Sequence, residues 1–191
     1  MDASGWIISG IGIAIALLLA LGWDRNARRR GGRDVIDTRR AEPAVGEPRR
    51  AEFLSEPWIA MAREEIVQAL SRADRSDLNE RGGTPFTLSE EFTNPPAHLR
   101  SGADTIGFSV RVGPGRVEVL GRPDSAADCR VVSDYRDALA IARDPDAAAL
   151  DPAEVERRIA AGRLRIIGDP SRMPLALQRL DVHRLLAART A

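Results

Sequence analysis

The sequence predicts an α+β domain carried behind one N-terminal transmembrane helix. Three observations carry that prediction. An uncharged apolar run, WIISGIGIAIALLLALGW, spans Trp6 to Trp23. Short stretches of apolar–polar alternation, two of them joined by a Gly-Pro-Gly turn, occupy the middle of the chain. Amphipathic stretches with helix-start signals lie on both sides of them, and a block of strands with helices around it reads as α+β.

The apolar run comes first in the chain. As an 18-residue helix it would span roughly 27 Å, close to the hydrocarbon thickness of a bilayer. Trp6 and Trp23 suit the two interfaces, where an apolar ring with one N–H donor sits best. Arg25, Arg28, Arg29, Arg30 and Arg33 follow at once, whereas only the α-amino group and Asp2 precede it. The arginine side stays in the cytoplasm, so the expectation is a single-pass protein of the cell inner membrane, N-terminus outside and the rest inside. A cleaved secretory signal would place positive charge before the run and a small-x-small site after it; here the charge lies after it, and Leu21-Gly22-Trp23 makes a poor site. A core helix of a soluble protein is the plainer alternative, but it rarely starts at residue 6 and ends in an arginine cluster. Gly12, Ala16 and Ala20 recur every fourth residue, a face smooth enough for a homodimer through the anchor, although small residues are common in such helices anyway.

Composition narrows the function. The 28 basic residues balance 28 acidic ones, and all the basic residues are arginine. With abundant Ala, Asp and Pro this resembles a high-GC bacterial coding bias. Neutrality argues against a nucleic-acid partner, whose affinity rests on neutralising phosphates. Cys129 is the one cysteine; a lone thiol forms neither an internal disulfide nor a zinc cluster, which agrees with a reducing cytoplasm. Residues 24–52 are arginine-rich, with glycines, prolines and no apolar period. They read as a disordered linker spanning roughly 30 Å, and its first arginines can also rest on anionic lipid. Residues 53–191 remain, ample for one core.

Within that domain, Ser55 to Ala73 predicts an amphipathic helix, capped by Ser55, with Pro57 in its first turn and Ile59, Ala62, Ile66 and Leu70 on one stripe. Pro85 to Thr93 alternates Phe86, Leu88, Glu90 and Phe92 against Thr87, Ser89, Glu91 and Thr93, a strand ended by Asn94-Pro95-Pro96. Glu90 breaks the apolar face and is expected to be partly paired, with Glu91 outside; adjacent strand positions point apart, so the two carboxyls do not form an acid–base pair. Thr105 to Gly113 and Arg116 to Gly121 form a hairpin through Gly113-Pro114-Gly115. Asp128 to Ser133 is a further strand. Cys129 has no histidine or helix start nearby to lower its pKa and reads as a small buried hydrophobe. Ser133 opens a helix, and Asp151-Pro152-Ala153-Glu154 opens another that ends at Gly162. Arg163 to Gly168 is a strand, and Asp169-Pro170 starts a last helix running through Met173, Leu177 and Leu180 towards Leu185 and Leu186.

From Phe108 onward the chain resembles the sterol carrier protein type 2 family, the non-specific lipid-transfer domain. The residues that carry the resemblance are ADCRVVSD (Ala127 to Asp134), AAGRLRIIGD (Ala160 to Asp169) and the apolar MPLALQRL (Met173 to Leu180). It covers residues 105–181 well and 55–100 loosely; the anchor and EEFTNPP (Glu90 to Pro96) depart from the family pattern. The resemblance implies a single curved, mostly antiparallel sheet covered by helices, with an apolar cavity between them for a sterol, a fatty-acyl chain or another apolar small molecule. Implied lining residues are Phe108, Val110, Val119, Val131 and Leu139 from the first part of the domain. Ile159, Leu164, Ile166, Met173 and Leu177 complete the set. The same residues would serve a filled core, so hollow and filled interiors are the alternatives.

The sequence thus points to a membrane-anchored lipid-binding or lipid-transfer module, with no catalysis, cofactor or metal expected: His98 and His183 come with no nucleophile elbow, ligand spacing or phosphate loop. The alternative is a non-catalytic scaffold with a filled core that binds a protein at the membrane.

Overall fold

The computed structural model describes residues 50–72, 84–100, 102, 104–114, 116–144, 152–178 and 182–191. The anchor expected over residues 6–23, and the linker up to residue 49, lie outside the described residues. Among the described residues no helix is long and apolar enough to cross a membrane.

Five strands form one mixed sheet: β1 (Phe86–Thr93), β2 (Thr105–Gly113), β3 (Arg116–Leu120), β4 (Cys129–Asp134) and β5 (Leu164–Gly168), in the order β3-β2-β1-β4-β5. Three of the four pairings are antiparallel; the fourth, that of the central strand β1 with β4, is parallel. The helices are α1 (Glu56–Arg72), α2 (Tyr135–Arg143), α3 (Pro152–Ala160), α4 (Leu175–Gln178) and α5 (His183–Ala188), with 3-10 turns at Ala97–Leu99 and Pro170–Arg172. The α+β class and the mostly antiparallel sheet covered by helices follow the sequence expectation.

Local chemistry sets most boundaries. The Ser55 hydroxyl accepts from the Trp58 N–H at 3.4 Å as α1 begins. Ser133 stays in β4, paired with Leu164; Asp134, not Ser133, caps α2 by accepting from the Arg136 N–H. Gly162, at φ +68°, takes the left-handed position after α3. The single last helix expected from Asp169 is broken into a 3-10 turn, α4 and α5. Pro174 disfavours helical backbone in the residue before it, and Met173 is extended at φ −61°, ψ 131°.

The two sheet faces differ in chemistry. Register places Phe86, Leu88, Glu90 and Phe92 beside Phe108, Val110 and Val112 of β2 and Cys129 and Val131 of β4. This face meets Trp58, Ile59, Ala62, Ile66 and Leu70 of α1 and Ala138, Ala142 and Leu186 from the helices beyond β4, in one continuous core. The opposite face carries Ser89, Glu91, Ser109, Arg111 and Arg130. Glu91, expected outside, is only 6% exposed. Arg130 donates to both its carboxylate oxygens, at 2.7 and 2.8 Å, and Asp124, from the loop before β4, donates its N–H to the buried Ser89 hydroxyl. The Asp124 loop and the Arg130 guanidinium of β4 cover polar groups on a face that alternation alone leaves to solvent.

Ala51 and Glu52, assigned to the linker from sequence, belong to the folded domain. Ala51 donates to the Arg189 carbonyl and accepts from the Ala191 N–H, both at 2.8 Å, while Glu52 meets His98 at 2.7 Å.

Candidate functional site

The parallel pairing brings the carboxyl ends of β1 and β4 together, with Thr93 opposite Asp134. Past β1, Asn94 turns left-handed at φ 55°, a conformation its short polar side chain tolerates. Its amide donates to the Asp134 carboxylate at 2.8 Å. That bond, joined by the backbone N–H of Arg136, holds the Asp134 carboxyl below its ordinary range against the opposing effect of burial. The chain then runs through Pro95 and Pro96 to Arg100, whose Nε–H donates to the Pro95 carbonyl at 3.0 Å. Together with Ala97, Tyr135, Arg136 and Leu139 these residues line an open groove of about 790 Å³, within the size of ordinary small-molecule sites.

A second space lies inside, between the sheet and its helices. Phe53, Trp58, Glu90, Phe108, Ala142, His183 and Leu186 line a hollow of about 10 Å³, room for about one water. Groove and hollow are neighbours. Tyr135 lines the first and Phe53 the second. Their rings lie 5.6 Å apart, and the Tyr135 hydroxyl donates to the Phe53 carbonyl at 3.2 Å. Phe53 also packs edge-on against Trp58 and Phe92. Its segment is clasped from behind: Ala51 bridges to Thr190, and the Trp58 indole donates to the Thr190 hydroxyl at 2.9 Å. Leu54, next to Phe53, sits at φ 64°, a conformation that strains a side-chain-bearing residue.

Among the described residues, the groove and the hollow each take in one of the ten residues singled out from sequence. Phe108 lines the hollow and Leu139 the groove. Val110, Val119, Val131, Leu164, Met173 and Leu177 are buried in the continuous core, and Ile166 packs against it. Ile159 is 38% exposed on α3. Among the described residues these side chains pack into a filled core, one of the two interiors the sequence left open. The reason is aromatic bulk: Phe53, which sequence reading left unassigned, brings a ring into the space beneath the helices. An aromatic residue two positions ahead of the Ser55 cap was the one local signal of it.

Cys129 is buried and its thiol is pushed up to about 11, chiefly by burial. His98 is exposed and paired with Glu52. His183, in contrast, is 4% exposed on the hollow, with its Nε2–H donating to the Asp144 carbonyl at 2.6 Å.

No protein-family model matches the chain, and no curated protein matches it significantly. Several solved structures resemble it, among them the following three. One is described as "UbiJ-SCP2 Ubiquinone synthesis protein", 20% identical over 68% of this chain and 94% of the other, with a TM-score of 0.37. One is a crystal structure of sterol carrier protein 2, 13% identical over 73% of this chain and 100% of the other, at 0.41. The third is the solution structure of a conserved protein from Thermus thermophilus, described as possibly sterol carrier protein, 16% identical over 71% and 90%, at 0.40.

Proposed function

We propose that this chain is a non-catalytic binder of an amphiphilic lipid, held at the inner face of a membrane by residues 6–23. The observation that carries the reading is the contact of Phe53 with Tyr135. Two rings and one hydrogen bond stand where the outer groove adjoins the inner hollow. The hollow as it stands is too small for an acyl chain. Swinging Phe53 aside would join it to the groove, and each CH₂ then buried would return about 0.8 kcal/mol. The strained Leu54 backbone makes this segment the natural part to move.

The test is native mass spectrometry of the purified full chain after incubation with a total lipid extract. Retained lipid, reduced by Leu139→Arg in the groove, is the expected result; a chain that emerges bare overturns the reading. The anchor is tested separately, by whether the full chain stays in the membrane fraction after alkaline washing and deletion of residues 6–23 releases it. The tight interior favours a second reading, a filled scaffold that presents its surface to a protein. It is preferred if lipid is never retained.

A further inference from the structure

We propose, resting on the reading that this chain holds an amphiphile, that the outer groove selects one whose head bears a single negative charge, a carboxylate, and that Arg100 and Arg136 receive it. The lining of the groove divides by chemistry. Pro95, Pro96, Ala97, Tyr135 and Leu139 make an apolar wall, while Arg100, Arg136 and Asp134 carry charge. Two guanidiniums against one carboxylate leave one positive charge over. The oxygens of Asp134 are also committed to the chain: one accepts from the Asn94 amide at 2.8 Å, the other from the Arg136 backbone N–H at 2.9 Å. Carboxylates close by are held elsewhere, Asp137 by Arg163 at 2.9 Å and Glu52 by His98 at 2.7 Å. Arg100 is oriented by the bond from its Nε–H to the Pro95 carbonyl, which leaves its terminal amino groups as donors. Arg136 is exposed and meets Asp134 as a neighbouring charge. A guanidinium bonds a carboxylate about twice as strongly as neutral groups bond each other. An alcohol of the same length accepts a bond but brings no charge, and a quaternary ammonium meets repulsion. The head then stays at the wet rim, and the tail lies along Leu139 and Tyr135 towards Phe53.

Tyr135 is the one tyrosine of the chain, so the full chain grown with 3-fluorotyrosine gives a single fluorine signal from the groove. That signal is titrated with octanoate, 1-octanol and octyltrimethylammonium, which share one tail, and with inorganic phosphate. Octanoate is expected to bind at least about tenfold more tightly than the other three. The lead should shrink at high salt, because both guanidiniums are exposed. Arg100→Gln combined with Arg136→Gln should bring octanoate down to the level of the alcohol; surface replacements of this kind seldom disturb folding. Asp134→Asn, which removes the opposing charge, should instead tighten octanoate, a gain that a damaged fold cannot imitate. Equal affinity for the three octyl compounds overturns the assignment and leaves lipid binding intact, as does a preference that survives loss of both arginines. Phosphate held as tightly as octanoate overturns it too, making the groove a site for free anions. If no octyl compound moves the signal, the assignment fails, and native mass spectrometry of the same chain with lipid extract decides whether the functional reading falls with it.

Discussion

The Tyr135 hydroxyl donates to the Phe53 carbonyl while the two rings pack 5.6 Å apart, so one tyrosine holds both the backbone and the ring of the segment that closes the core. Tyr135 is the first residue of α2, placed there because β4 ends at its cap, Asp134. Phe53 is held from the other side by the pairing of Ala51 with Thr190. Tyr135→Phe keeps the rings and loses the bond. Urea unfolding should show a loss of about 1 kcal/mol, and stopped-flow mixing with an amphiphile should show faster uptake. Unchanged uptake would separate this contact from ligand access.

Arg130 is the cation that lets Glu91 be buried. Arg130→Ala leaves that carboxylate without its two charge-assisted bonds and should cost about 3 kcal/mol in urea denaturation. Arg130→Lys should recover only part of it, since a single ammonium does not reproduce the two-pronged geometry. The double replacement Glu91→Leu with Arg130→Leu should cost less than Arg130→Ala alone.

Asp134 gives the domain an acid-side dependence. Its carboxyl titrates below the ordinary value, chiefly through the Asn94 amide, so the unfolded chain takes up the proton first as pH falls. The stabilisation is complete well above the ordinary value of about 3.9 and is lost as pH drops through it towards the lowered folded value. Melting temperatures recorded between neutral and strongly acidic pH should fall less steeply for Asp134→Asn than for the parent. Identical slopes would remove Asp134 from the account.

Two glycines invite a matched comparison. Gly168 has φ +97°, and a Cβ there would lie 2.1 Å from the Asp128 carbonyl oxygen. Gly162 has φ +68° and open space around it. Gly162→Ala should cost about 1 kcal/mol, the backbone strain alone. Gly168→Ala adds a backbone collision at the β4–β5 pairing and should cost clearly more, about 3 kcal/mol or above by thermal melts.

Cys129 should resist alkylation. With its thiol pushed up to about 11 by burial, almost none is ionised at pH 8, and the thiolate is the reactive form. Iodoacetamide should label the folded chain far more slowly than the chain in urea. Equal rates would mean that the β4–β5 region opens readily.

What could be read from the sequence was what neighbouring residues decide. The stripe of α1, the β2–β3 hairpin, the left-handed Gly162 and the alternation of β1 are local patterns, and each stands in the fold. The broken last helix was also signalled locally, by Pro174, but a run of apolar residues at helical spacing masked it. Glu91 was misplaced because alternation names a face without saying what covers it; Arg130 and the Asp124 loop come from elsewhere in the chain. The groove escaped sequence reading altogether: Asn94-Pro95-Pro96 marked a strand end, and nothing local placed it beside Asp134 and Tyr135.

By itself, then, the sequence determined the α+β class, the order of its elements and the apolar set from which the core is drawn, since periodicity and capping act over a few residues. Tertiary structure alone decided that β1 and β4 run parallel, that their ends make a groove, and that Phe53 fills the space beneath the helices. Those outcomes depend on contacts between residues some 40 to 130 apart, such as Asn94 with Asp134 and Trp58 with Thr190. Which distant partner a side chain meets is settled by packing one whole surface against another, and no short window of residues encodes it.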